Sequence, residues 1–203
     1  MKKQVDTIVG KAAILIIDVT KGSLLPPDKT PIPIFDAQTA VNNIKEVVDV
    51  ARTVDIPIIF FQELHRREMV DFGRELDGVE DVHCLEGSED VEFIDYLKPM
   101  DGEFSIGKRR YSCFFATDLN ILLKGLKVET LIICGFLTDV CVHYTSADAH
   151  QHDYYVRIMH DCVRGSSPEA HQASLNAIKY LQTASETNSK EIIGLLEKMT
   201  VKA

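Results

Sequence analysis

The sequence predicts a doubly wound α/β fold, a mainly parallel sheet flanked by helices, in one domain spanning residues 1–203. Two observations carry this expectation. Short apolar runs rich in β-branched residues recur along the chain, and segments with apolar residues at helical spacing separate them. Strands buried on both faces read as continuous apolar runs, and crossovers between parallel strands are right-handed, so the alternation leaves few other architectures. A third observation agrees: 45% hydrophobic and 26% charged residues in a chain of 203 are enough to fill one core without disulfides or metals.

The elements follow in order. Ala12 to Ile17 reads as a buried strand stopped by Asp18, and a proline-rich loop follows. Val41, Ile44, Val47, Val48 and Ala51 recur at helical spacing, and Pro57 to Phe61 reads as a second strand. Residues 62–90 are polar and glycine-punctuated, too long for an ordinary connection, and read as a lid-like insertion over a site. A short helix is expected near Val91 to Leu97, an extended piece over Gly102 to Gly107 and a helix over Asp118 to Leu126. Thr130 to Gly135 reads as another buried strand, with a helix from about Thr138. Tyr155 to Met159 reads as a strand, Pro168 suits the first turn of a helix, and Lys190 to Met199 is amphipathic.

Charge and motifs narrow the function. A net charge of -9 opposes a nucleic-acid backbone binder and favours a small-molecule partner. The N-terminal residues lack an apolar stretch suited to a signal peptide, and no run approaches membrane-spanning length, so a cytoplasmic protein is expected. Cys84, Cys113, Cys134, Cys141 and Cys162 show no C-x-x-C pair and no zinc-ligand spacing, which argues against a disulfide framework. Neither dinucleotide nor P-loop glycine pattern is present, and Asp18 at the end of the first strand would repel a pyrophosphate.

The segment Gly135-Phe136-Leu137-Thr138-Asp139-Val140-Cys141-Val142 places a cysteine in the first turn of a helix directly after a buried strand. Unpaired N–H groups and the positive helix end favour a thiolate there, and the same N–H groups can receive an oxyanion. A parallel sheet could bring Asp18 and Lys108 to the same edge. Taken singly, each residue also has a plain reading: Cys141 packed at a junction, Asp18 as a cap and Lys108 as a surface lysine beside Arg109 and Arg110.

Five segments together resemble the isochorismatase-like cysteine hydrolases, a superfamily that includes nicotinamidases, N-carbamoylsarcosine and ureidoacrylate amidohydrolases, and isochorismatase. They are A-A-I-L-I-I-D-V, K-R-R-Y-S-C-F-F-A-T-D-L, G-F-L-T-D-V-C-V, S-A-D-A-H-Q-H-D-Y-Y-V and D-C-V-R-G-S-S-P-E-A-H. The resemblance implies Cys141 as nucleophile, Asp18 as general base or acid, and Lys108 as the cation that lowers the thiol pKa. It implies a cis peptide between Phe136 and Leu137, with the N–H groups of Leu137 and Cys141 facing the oxyanion, and a homo-oligomer. Glu63, His65 and His83 resemble nicotinamidase segments that hold a divalent metal, with glutamate where that pattern has aspartate; the thiol chemistry itself requires no cofactor.

Phe61, Tyr111, Phe115 and Phe136 are candidates for an apolar pocket wall, Arg109 and Arg110 for a substrate carboxylate, and His143, His150 and His152 for packing or a subunit contact. The resulting expectation is a hydrolase that cleaves a small amide or ureide through a Cys141 thioester. Vinyl ether hydrolysis on the same site, and a non-catalytic binding domain on the same fold, are the alternatives.

Overall fold

A computed structural model describes residues 6–200; residues 1–5 and 201–203, at the ends of the expected domain, lie outside the described residues. The strands are β1 (Lys11–Ile17), β2 (Ile58–Glu63), β3 (Phe104–Lys108), β4 (Val128–Phe136), β5 (Tyr155–Arg164) and β6 (Glu186–Thr187). They form one sheet in the order β3-β2-β1-β4-β5-β6, with every neighbouring pair parallel. The helices are α1 (Ala37–Ala51), α2 (Leu119–Leu126), α3 (Cys141–Gln151), α4 (Pro168–Leu181) and α5 (Ser189–Thr200).

The two-residue period of a strand divides β1 between two cores. Ala12, Ile14 and Ile16 face one apolar layer with Val41, Ile44 and Val48 of α1 and Ile192 of α5. Ala13, Leu15 and Ile17 face the other, with Leu119 and Leu123 of α2, Val142 and Ala149 of α3, and Leu175 and Ile178 of α4. Helices on both faces explain why these strands read as unbroken apolar runs. At the start of α4 the Ser167 hydroxyl accepts the Ala170 N–H at 3.1 Å, and Pro168 occupies the first turn.

Several expected boundaries change. Residues 91–97 are not a helix; the neighbouring helical turn is a 3-10 turn over Glu89–Val91. Val91, Ile94 and Leu97 are buried at three-residue intervals, which mimics a helical stripe. The backbone is instead drawn out by the Lys21 N–H on the Glu92 carbonyl at 2.8 Å and by a Thr20–Phe93 bridge, and Pro99 disfavours helix at Lys98. Helix α3 begins at Cys141 rather than near Thr138, because the Leu137 carbonyl gathers the N–H groups of Val140 and Val142. Strand β5 continues to Arg164, past the expected end at Met159, through a register break opposite Ile133 to Gly135. Its half-polar second part, His160 and Asp161, conceals it in the sequence.

The strand order reverses beside β1, and such a switch point opens a crevice at the carboxyl ends of the strands. Asp18 follows β1 in a left-handed conformation, φ 53. Glu63 closes β2, Lys108 closes β3, and β4 leads into the turn before Cys141. The close approach of β1 and β4 requires Gly135, whose φ is +111 and where a Cβ would lie 2.0 Å from the Ile17 carbonyl oxygen.

Candidate active site

Lys108 is fully buried, yet it reaches three polar partners. Its Nζ lies 2.8 Å from Asp18 Oδ2, 2.5 Å from Glu63 Oε2 and 3.3 Å from Cys141 Sγ. The Glu63 backbone N–H donates to Asp18 Oδ1 at 2.8 Å, and the Cys141 thiol donates to Glu63 Oε2 at 3.4 Å. Strand register produces this meeting: Glu63 pairs with Lys108 across β2 and β3, and Ile17 pairs with Gly135 across β1 and β4. A buried ammonium needs paired carboxylates to offset its lost hydration, and both are here. The contact to Asp18 Oδ2 is a close ion pair without hydrogen-bond geometry, so that oxygen remains an unsatisfied acceptor, and a carboxylate oxygen of Asp18 lies within 4.8 Å of the Cys141 sulfur.

The charges of the cluster are set by opposing effects. Burial disfavours the Lys108 ammonium, but Asp18, Cys141 and Glu63 outweigh it and hold Lys108 well above the ordinary lysine range. Burial pushes Glu63 up, and Lys108 with hydrogen bonds from His65 and His83 pulls it well below. Asp18 is raised, because burial and the neighbouring Glu63 exceed the pull of Lys108. Burial also raises Cys141 well above the usual thiol value; Lys108 opposes this, and Asp18 and Glu63 add to it. Lys108 therefore acts on the thiol in the expected direction, but its two carboxylate partners and burial leave the resting thiol protonated.

A second buried cluster shares Glu63. Its Oε1 lies 3.3 Å from both His65 Nε2 and His83 Nε2, and His65 Nε2 lies 3.0 Å from Glu75 Oε2. The sequence expectation joined Glu63, His65 and His83; Glu75 was missed. It enters from a 3-10 turn over Glu75–Asp77, and nothing in the sequence marks it apart from its acidic neighbours. His65 stacks on Phe72 with ring centroids 3.9 Å apart. Facing Glu63 and Glu75, His65 overcomes its burial and is raised to about 9, and His83 is raised by Glu63 and the Asp81 carbonyl against the same penalty.

The donor set fits a divalent cation. Glu63, His65, Glu75 and His83 each offer an atom within 4.8 Å of the others, and all four are buried. Both Glu75 carboxylate oxygens lack a hydrogen-bond partner among the described residues. His83 Nδ1 donates to the Asp81 carbonyl at 2.6 Å, which in the neutral ring leaves the Nε2 lone pair facing the carboxylates.

Asp18, Glu63 and Cys141 line a cavity of about 80 Å³, room for a small molecule. Ile32, Ile34, Phe136, Leu137 and Val140 form its apolar side, and Tyr111 joins them. The Phe136–Leu137 peptide is cis, and Cys141 is the first residue of α3. Residues 62–90 are folded on themselves by the His65 N–H on the Cys84 carbonyl and the Glu86 N–H on the His65 carbonyl, are tied to β3 by the Leu64 N–H on the Lys108 carbonyl, and supply Glu80, His83, Cys84 and Asp90 to the cavity wall.

Other candidates lie elsewhere. Phe61 is buried in the core, and Phe115 is exposed beside a shallow outer cavity. Arg109 holds the Leu64 carbonyl and Glu86, and Arg110 holds the Asp71 carbonyl, so neither reaches the inner cavity. His143 pairs with Ser174, His150 with Gln182, and His152 packs against Phe114.

Residues 12–189 match the isochorismatase domain family. A ureidoacrylate amidohydrolase, RutB, of Azorhizobium caulinodans is 26% identical over 180 residues, covering 79% of each chain. The crystal structure of an isochorismatase-like hydrolase from Alkaliphilus metalliredigens is similar with a TM-score of 0.82 and 28% identity, covering 92% of this chain and 99% of that one. A pyrazinamidase of Pyrococcus horikoshii in complex with zinc gives a TM-score of 0.74 at 24% identity, covering 88% and 98%; that likeness is one of fold.

Proposed function

The chain belongs to the isochorismatase family, and from that premise we propose that it is a cysteine hydrolase cleaving a C–N bond of a small amide or ureide through a Cys141 thioester. The observation that carries the reading is the buried Lys108 ammonium held within 3.3 Å of Asp18, Glu63 and Cys141 at one end of a small cavity. Retained thiol, amine and carboxylate argue against a binding domain that has lost its chemistry.

The residues give a balanced sequence of steps. Asp18 Oδ2 takes the Cys141 proton, and Sγ forms a bond to the substrate carbonyl carbon while the C=O pair moves to oxygen. The N–H groups of Leu137 and Cys141 receive that oxyanion. As the C–N bond breaks, Asp18 returns the proton to the departing nitrogen, leaving a thioester and ammonia or an amine. Water then attacks the thioester with its proton going to Asp18, and the C–S bond breaks, restoring the thiol when Asp18 gives that proton to sulfur. Lys108 stays charged throughout, so it can hold either protonation state of the Cys141–Asp18 pair.

Glu63, His65, Glu75 and His83 would hold a divalent cation, which when bound supplies Lewis-acid charge beside the cavity. The reading also takes residues 1–203 as one cytoplasmic hydrolase domain that assembles as a homo-oligomer, with residues 62–90 as a partial lid. The net charge of -9 supports a small-molecule partner over nucleic acid. No described helix is long and apolar enough to cross a membrane.

An ammonia-release screen over small amides and ureides, followed by rapid-quench intact-protein mass spectrometry of the best substrate, tests this. An acyl adduct confined to Cys141 and lost in Cys141→Ala is expected. Near-normal turnover by Cys141→Ala would overturn the thioester route.

A further inference from the structure

We propose that this active site selects uncharged amides or ureides with an apolar body and rejects substrates that carry a carboxylate, with Glu80 and Asp90 as the rejecting residues. The inference rests on the amidase reading and names its substrate class.

Four acidic residues, Asp18, Glu63, Glu80 and Asp90, line the cavity, and among the described residues neither lysine nor arginine does. A substrate carboxylate needs a cation or a fork of N–H donors to offset its lost hydration. Lys108 is not free for that duty, because it is fully buried and its short contacts go to Asp18, Glu63 and Cys141. Arg109 and Arg110, the nearest guanidiniums in sequence, are turned onto backbone carbonyls and Glu86. His83 lines the wall, but its Nε2 already faces Glu63 at 3.3 Å and Glu80 at 3.8 Å. The opposite wall is Ile32, Ile34, Leu137 and Val140, which rewards an apolar body.

Like charges brought together in a confined, poorly hydrated site repel far more than on an open surface. Glu80 stands on the inner wall with a side chain only 15% exposed, and Asp90 lies in the 3-10 turn before β3. An amide lacks the charge they oppose, while its N–H groups can donate to them.

The test compares iodoacetamide with iodoacetate, a pair that differs chiefly in charge. Alkylation of Cys141 in chelator-treated protein, so that no cation sits at Glu63, His65, Glu75 and His83, is followed by peptide mass mapping at about pH 8, where a free carboxylate is ionised, and each rate is divided by that of free cysteine. The amide reagent should be preferred about 100-fold beyond its advantage on free cysteine, and Glu80→Gln with Asp90→Asn should narrow that ratio about 10-fold. A normalised ratio within about threefold of unity, or faster labelling by iodoacetate, overturns the inference.

The substrate screen separates the two readings. A carboxylate-bearing ureide that is turned over fastest, with its acyl group on Cys141, leaves the amidase reading standing and removes this one. Charge selection in alkylation, with no acyl adduct from any amide, removes the amidase reading and the substrate class named here with it, and leaves only the rejection of carboxylates standing.

Discussion

Glu63 and Lys108 are register partners on β2 and β3, and their side chains meet again beyond the strand ends at 2.5 Å. That single pairing joins the two clusters of the site, because the other oxygen of Glu63 faces His65 and His83. Glu63→Ala should therefore act in two directions. It leaves Lys108 with one carboxylate and should cost about 3 kcal/mol of stability, the scale for breaking a buried pair, read by urea denaturation. It also removes a negative neighbour that raises the Cys141 thiol, so iodoacetamide should label Cys141 faster at a fixed pH in the folded variant. Slower labelling would mean that Glu63 supports the thiolate rather than opposing it.

The pH profile of the free enzyme follows from the same balance. Burial, then the carboxylates against Lys108, hold the Cys141 pKa above its ordinary value. The reactive thiolate is the deprotonated form, so labelling should rise with pH and still be climbing at about pH 9. Lys108→Ala removes the lowering charge and should move the profile upward, whereas Arg109→Ala and Arg110→Ala, bound to carbonyls outside the cavity, should leave it in place. A plateau already reached near neutral pH would contradict the protonated resting thiol.

Metal content can be read without activity. Protein purified without an affinity tag and dialysed against a divalent transition metal should retain it stoichiometrically by elemental analysis. His65→Ala with His83→Ala should abolish retention, and Glu75→Gln should weaken affinity at least about 10-fold, since both of its oxygens lack other hydrogen-bond partners. Retention unchanged in Glu75→Gln would remove that residue from the donor set.

Much of this arrangement was legible in the sequence because parallel strands announce themselves as apolar runs and end at polar residues with chemical uses. Asp18 and Lys108 stand at such ends, Cys141 follows the turn after β4, and their segments resemble a known pattern. What escaped was contact made across the chain. Glu75 is one acidic residue in a polar stretch, and only folding reveals that it is buried beside His65. The second role of Glu63 depends on the β2–β3 register, which sequence does not state. The non-helical path of residues 91–97 escaped because burial at every third residue satisfies a helix as well as a bridge to Thr20 and Lys21 followed by a turn closed by the Leu97 N–H on the Ile94 carbonyl. The resting state of Cys141 escaped because helix position and a nearby cation are visible in a sequence, whereas the two competing carboxylates and complete burial are properties of the assembled site.

The last prediction concerns the backbone that brings Asp18 and Cys141 to one edge. Gly135 has φ +111, where an L side chain is strained, and a Cβ there would sit 2.0 Å from the Ile17 carbonyl oxygen and 2.7 Å from the Ile17 nitrogen. Both contacts are to main chain, which cannot swing aside as a side chain would, so relief requires β1 and β4 to part. These strands carry Asp18 and the nucleophile turn at their ends, so parting them should loosen the site together with the core. Gly135→Ala should cost about 3 kcal/mol or more in chemical denaturation, and the folded fraction should label more slowly at Cys141 relative to wild type. Gly125 supplies the control, because it lies within α2 with nothing within 4 Å of its virtual Cβ. Gly125→Ala should stabilise by about 0.5–1 kcal/mol through helix propensity alone. If both substitutions shift the denaturation midpoint equally, the close approach of Gly135 to Ile17 is not what holds β1 against β4.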